Sequence, residues 1–111
     1  SNEVKRDALG VDAAVLEANG AVSEAVVKAM AKGVKHAMGA TWGLATSGVA
    51  GPGGGSEAKP VGMVWMAISG PQGEAAWCHH LGRERQRIVE RTTRRILTHL
   101  FQAIQQERLD T

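Results

Sequence analysis

Residues 61 to 69, Val-Gly-Met-Val-Trp-Met-Ala-Ile-Ser, are apolar at both alternating sets of positions. Successive side chains of a strand point to opposite faces, so a run of this kind belongs in a strand covered on both sides. Its neighbours follow from that constraint. Gly70-Pro71-Gln72-Gly73 turns the chain back into a partner strand at 74–80. Trp42 to Ser47 is short, apolar and without helical periodicity, which suits a third buried strand. Cover for the sheet comes from two stripes of helical spacing. Ser23 caps a helix in which Val26, Val27, Met30, Ala31, Val34 and Met38 recur every three or four residues, ending near Gly39. From 84 to 107, Ile88, Val89, Thr92, Ile96, Leu97, Leu100, Phe101 and Ile104 trace the second stripe. Two shorter helices are expected upstream, one at 3–9 with Gly10 as its stop and one from Asp12 to about Ala18, where Asn19-Gly20 turns the chain. Helices and doubly covered strands together predict a layered α/β domain, a sheet with helices packed on both faces.

Composition agrees with one such domain over residues 1–111, since 43% hydrophobic and 22% charged residues are ordinary values for a globular chain. No repeat or interdomain linker interrupts it. The single cysteine, Cys78, cannot form an internal disulfide, and the chain is read as cytoplasmic. Its apolar stretches fall far short of the roughly 20 residues that span a bilayer, so no membrane partner is expected. The opening Ser1-Asn2-Glu3-Val4-Lys5 has neither a Met nor the character of a signal peptide. Charge is unevenly distributed: between 83 and 95 six Arg stand against two Glu, on the first turns of the last helix. Such a cluster suits phosphate, nucleic acid or a partner's carboxylates. The absence of aromatic interleaving or a groove-reading motif argues against nucleic acid.

The densest chemical signal is Thr46-Ser47-Gly48-Val49-Ala50-Gly51-Pro52-Gly53-Gly54-Gly55-Ser56, directly after a predicted strand. The thirteen residues from Gly48 to Pro60 hold five Gly and two Pro and are loop. Glycines let backbone N–H groups approach a ligand closely, and several in a concave loop make an anion site. The same composition also serves a plain strand connection, and the Gly-Lys-Ser/Thr ending of a P-loop is absent. Thr46 and Ser47 stand at a strand end, where functional side chains of open α/β sheets gather, although hydroxyls there also satisfy nearby backbone groups. Lys59 re-enters the sheet at the same edge, so its ammonium either faces the same cavity or is solvated. Lys5, taken alone, reads as an exposed cation. His36, His79, His80 and His99 make no metal set, because His79 and His80 point to opposite faces of a strand and no pair has zinc-site spacing. Trp42, Trp65 and Trp77 read as core or interface filler.

The run from Ser47 to Ser56, continuing through Lys59-Pro60-Val61-Gly62 and Val64, closely resembles the signature of the CinA C-terminal (competence/damage-inducible) family. Ser1-Asn2-Glu3-Val4-Lys5, Leu9-Gly10-Val11 and Asn19-Gly20-Ala21-Val22-Ser23-Glu24 match it in the same order, and Glu84-Arg85 looks like the family's acidic-Arg pair. Ala58 and Met63 depart from the usual Glu and Thr. Family domains begin earlier, with a strand and helix carrying an Ala-Glu-Ser-Cys-Thr-Gly-Gly block whose Ser is regarded as the nucleophile. No position here corresponds to it, so the family's N-terminal strand and helix are missing from these 111 residues.

The resemblance implies hydrolysis of nicotinamide mononucleotide to nicotinate mononucleotide and ammonia, without a cofactor, by a homo-oligomer. It makes Lys5 the candidate base, which requires a lysine pKa depressed by burial or by neighbouring cations. Ser47 would orient the substrate or that lysine. Amides around Gly48 to Gly51 would stabilise the oxyanion. Gly53, Gly54, Gly55, Ser56 and Arg85 would hold the ribose phosphate, with Thr46 and Lys59 also facing substrate. Two other readings compete: a non-catalytic nucleotide-binding or regulatory module, and an interaction domain using its Arg-rich helix on nucleic acid.

Overall fold

The computed structural model describes residues 11 to 51 and 53 to 110; the expected helix at 3–9, its Gly10 stop and Lys5 lie outside them. Asp12 opens α1 (Ala13–Asn19) by accepting a hydrogen bond from the Ala14 N–H at 2.7 Å. Ser23 opens α2 (Glu24–Ala37) in the same way through the Val26 N–H, at 3.4 Å. Each cap satisfies an N–H that the first helical turn leaves without a partner. Then come β1 (Gly43–Gly48), β2 (Met63–Gly70), β3 (Gly73–His80) and α3 (Arg85–Asp110).

The three strands form one antiparallel sheet in the order β1-β2-β3, with Gly43 opposite Ser69, Gly48 opposite Val64, and Met63 opposite His80. The three runs expected at 42–47, 61–69 and 74–80 are therefore neighbours. Val61 and Gly62 belong to the preceding turn rather than to β2. Gly62 has φ 95°, and a Cβ on it would strike the Gly82 carbonyl. Only glycine serves where the segment after β3 crosses so closely. The Leu81 N–H completes that crossing by donating to the Gly62 carbonyl at 2.8 Å.

Alternation along β2 divides the core. Val64 and Met66 pack with Leu81, Ile88 and Ile96 beneath α3, joined by Leu44 and Trp77. Ala67 and Trp65 face the other way, against Val27 and Ala31 of α2, with Ala45 and Ala76 beside them. The α2 face is thus built largely from small residues and the α3 face from larger ones. Val11, Leu16 and Val26 pin α1 onto α2. Helices lie on both faces of the sheet, as the doubly apolar β2 requires.

The α3 stripe is wider than its contact with the sheet. Ile88 and Ile96 are buried, whereas Val89, Leu97 and Phe101 are 52%, 53% and 64% exposed. With Thr93 among them, these residues follow one another at four-residue spacing and form a row along the helix. Val89 and Thr93 border the end of β1, so the row lies on the β1 flank of the helix. His99 instead meets Trp77 and His79 of β3. A sheet of three strands underlies only the middle of the stripe, and the β1 flank overhangs its edge.

Candidate functional site

The glycine-rich loop leaves β1 and returns to β2 through a closed neck. The Val49 N–H donates to the Met63 carbonyl at 2.9 Å and the Gly62 N–H to the Val49 carbonyl at 2.7 Å. Further out, Ser56 and Lys59 hold a tight turn: the Ser56 N–H donates to the Lys59 carbonyl, and the Lys59 N–H to Ser56 Oγ, both at 3.0 Å. Between neck and turn, the amides of Ala50, Gly51, Gly53, Gly54 and Gly55 donate to no described residue. Gly51 has φ 71° with Val61 against its Cα, and its carbonyl accepts from Arg85 Nη1 at 3.3 Å. That contact fastens the loop to the first turn of α3.

A cleft of about 250 Å³ opens where β1 meets α3, bordered by Thr46, Gly48 and Ala50 on one side and Ile88, Val89 and Thr92 on the other. Thr46 pairs with Met66, in the α3 core, and Ser47 with Trp65, which faces α2. Alternation therefore sends the Thr46 side chain toward the cleft and that of Ser47 toward the opposite face, although Ser47 borders the cleft. Thr93 also lines it, but its hydroxyl donates to the Val89 carbonyl at 3.1 Å. The Thr92 hydroxyl has no hydrogen-bond partner among the described residues. Reading the sequence for helical periodicity treats Thr92 as one more stripe position; the signal was a hydroxyl among Ile and Leu, one helical turn beyond Ile88.

A second opening, of about 580 Å³, is bordered by Gly54, Gly55, Ser56, Glu57, Pro60, Val61 and Arg83. Arg83 is a cation that sequence reading left undistinguished within the cluster. A third hollow, about 680 Å³, lies over the first turns of α3 and is bordered by Glu84 and that helix's own side chains. It is space between exposed side chains rather than a cleft between elements. Arg87 pairs there with Glu84 at 2.7 Å, and Arg91 Nη1 donates to the Leu81 carbonyl at 2.9 Å, so part of the cluster fastens the fold.

The structure thus gathers Thr46, Gly48, Gly51, Gly53, Gly54, Gly55, Ser56 and Arg85 at one end of the sheet. Lys59 goes elsewhere: its Nζ donates to the Asn19 carbonyl at 3.0 Å, at the C-terminal end of α1. Among the described residues no three of His, Cys, Asp or Glu gather as a metal set, and no helix is long and apolar enough to cross a membrane.

A family model described as the CinA C-terminal domain matches residues 1–104. A CinA-like protein of Synechococcus sp. (strain CC9902) is 54% identical over 87 residues, which are 78% of this chain and 21% of that protein. Among solved structures, the competence/damage inducible protein CihA from Agrobacterium tumefaciens superposes with a TM-score of 0.84 at 38% identity, covering 91% of this chain and 62% of that one. A competence or damage-inducible protein from Enterobacter asburiae gives a TM-score of 0.87 at 32% identity, covering 93% and 65%. The chain therefore spans about a fifth of the length of the first relative and under two thirds of each solved chain.

Proposed function

We propose, from the premise that this chain belongs to the CinA C-terminal domain family, that it supplies the nucleotide-binding part of a site hydrolysing the carboxamide of nicotinamide mononucleotide to nicotinate mononucleotide and ammonia. The observation that carries this reading is the run of five unengaged loop amides beside Arg85 and the Thr46 cleft. Loop N–H groups without a partner among the described residues, beside a guanidinium, suit a phosphate or a developing oxyanion. In the reaction a Ser hydroxyl adds to the amide carbon while its proton passes to a base, for which Lys5 is the candidate. That proton then goes to the departing nitrogen, which leaves as ammonia, and water hydrolyses the acyl intermediate. Thr46, with its side chain on the cleft side of β1, is the better placed of the two strand-end hydroxyls to touch substrate.

A second reading is a nucleotide-binding or regulatory module without turnover of its own, carried by the loop amides and Arg85 alone. A coupled ammonia assay beside a binding titration separates the two. The 111-residue chain is expected to bind the mononucleotide weakly and release little ammonia, because removing a covalent nucleophile leaves only about 10³–10⁴-fold catalysis over water in the serine-protease case. A version extended by a family strand and helix is expected to turn over, with Lys5→Ala lowering kcat far more than binding. Arg85→Ala should weaken the mononucleotide about tenfold and leave the phosphate-free riboside unchanged. Robust ammonia release by the short chain would remove the missing-nucleophile argument; equal losses for both ligands would remove Arg85 from the phosphate. We also propose that the chain self-associates, burying the Val89–Leu97–Phe101 row, so that Phe101→Glu shifts sedimentation toward monomer.

A further inference from the structure

We infer that the cavity beyond the β2–β3 turn, between that turn and the C-terminal half of α3, is a binding site for a small organic cation. It lies at the opposite end of the sheet from the glycine-rich loop and encloses about 290 Å³, room for a single ring or a quaternary amine. Trp42, Trp77 and Ile68 supply aromatic and apolar wall. Trp42 is held in place by packing flat against Gly70, and Trp77 by stacking on His99 with ring centroids 3.8 Å apart. Two indoles fixed before any ligand arrives are a surface to which cations are attracted through the ring quadrupole.

The charged side chains that border this cavity are carboxylates, and a cation stands behind its rim, where Lys35 Nζ donates to the Gly70 carbonyl at 3.2 Å. Glu107 and Asp110 border it, and no Lys or Arg does. Glu107 Oε2 is buried with no hydrogen-bond partner among the described residues, an arrangement that costs free energy unless a cationic or donor group arrives. Asp110 accepts from Gln106 Nε2 at 3.0 Å at the end of a 26-residue helix. The carbonyls of that helix end add partial negative charge in the same place. Glu74 also borders the cavity, but its Oε2 accepts from Ser69 Oγ at 2.8 Å, which ties it to the sheet. An aromatic box beside a carboxylate and a helix C-terminus selects a cation that also carries apolar surface, in preference to a bare metal ion or an anion.

N-methylpyridinium, titrated against the full chain, is the probe, with toluene as its neutral isostere. The readout is the indole N–H signals of the three tryptophans in a nitrogen–proton correlation spectrum. Saturable shifts are expected for Trp42 and Trp77 but not for Trp65, which faces α2, with a midpoint on the order of 1 mM for so small a ligand. Toluene should bind at least about fivefold more weakly. Glu107→Gln should raise the midpoint about fivefold and Asp110→Asn about twofold; Asp110→Asn should keep the wild-type melting temperature, and Glu107→Gln, which removes the unpaired buried carboxylate oxygen, should not fall below it. Arg94→Gln, in the N-terminal half of α3 and away from the cavity lining, should change nothing. The site is overturned by equal affinity for toluene, by linear shifts of all three indoles, or by a Glu107→Gln midpoint equal to that of wild type. None of these readouts depends on mononucleotide hydrolysis, so the two proposals fail separately.

Discussion

Where β1 passes into β2 through the glycine-rich loop, backbone amides and guanidinium side chains are offered to solvent beside the single carboxylate of Glu57; beyond the β2–β3 turn, carboxylates are set among indoles. The first end is held by a few hydrogen bonds between a loop and its surroundings, the second by side chains fixed on a strand and a long helix. The two ends share one core, Met66 and Ile88, which lies between them. Substitutions that alter backbone conformation should therefore act mainly at the loop end, and substitutions of side chains mainly at the other. Loss of the shared core should damage both.

Met66→Ala gives the largest expected effect. The side chain is fully buried, and its truncation should cost about 3 kcal/mol. In a chain of this size that lowers Tm by about 15 °C. A loss under about 1 kcal/mol in denaturant unfolding would show that the two ends do not depend on a common core.

Gly62→Ala should cost about 2 kcal/mol, because φ 95° is strained for alanine and the new methyl would meet the Gly82 carbonyl. Amide exchange should quicken at Val49 and Leu81, whose bonds depend on this crossing, before it does at the Trp77 end. Uniform acceleration would blur the division between the ends.

The histidine pair tests by pH how α3 packs on β3. His79 and His99 meet Nε2 to Nε2 at 2.9 Å, and burial, followed by neighbouring positive charge, lowers both pKa values below the usual 6.5. The unfolded chain then binds protons more readily than the folded one. Stability should be greatest above about pH 6.5 and fall as pH drops toward the folded-state values, the doubly protonated pair setting donor against donor beside Arg95. Chemical denaturation between pH 7.5 and 5 should show this decline, and His99→Gln should flatten it. An unchanged slope in the variant would assign the decline to other groups.

Lys59→Ala is the smallest, about 0.5–1 kcal/mol, since the ammonium makes one exposed hydrogen bond to Asn19. It should loosen the loop's outer turn without affecting phosphate binding. A matching loss of mononucleotide affinity would return Lys59 to the cleft.

Much of this architecture was legible in the chain itself. Asp12 and Ser23 announce their helices through hydrogen bonds spanning two and three residues. The doubly apolar run that becomes β2 demanded cover on both faces, and two stripes of helical period were present to provide it. The loop between β1 and β2 is equally plain, because thirteen residues with five glycines cannot continue a strand. These are rules of local conformation, acting over about one helical turn or one strand.

The sites were decided by packing. Period-two alternation separates Thr46 from Ser47, but only the placement of α3 determines that the cleft lies on the Thr46 side. Arg85 reaches Gly51 across 34 positions, and Lys59 reaches Asn19 across 40. The long stripe of α3 promised burial for all its apolar residues, yet a sheet three strands wide covers Ile88 and Ile96 and leaves Val89, Leu97 and Phe101 outside. Sequence patterning determines which element forms and which of its faces is apolar, because those choices are made among near neighbours. How wide a partner surface that face meets, and which distant polar groups arrive beside it, depends on how helices and sheet settle against one another.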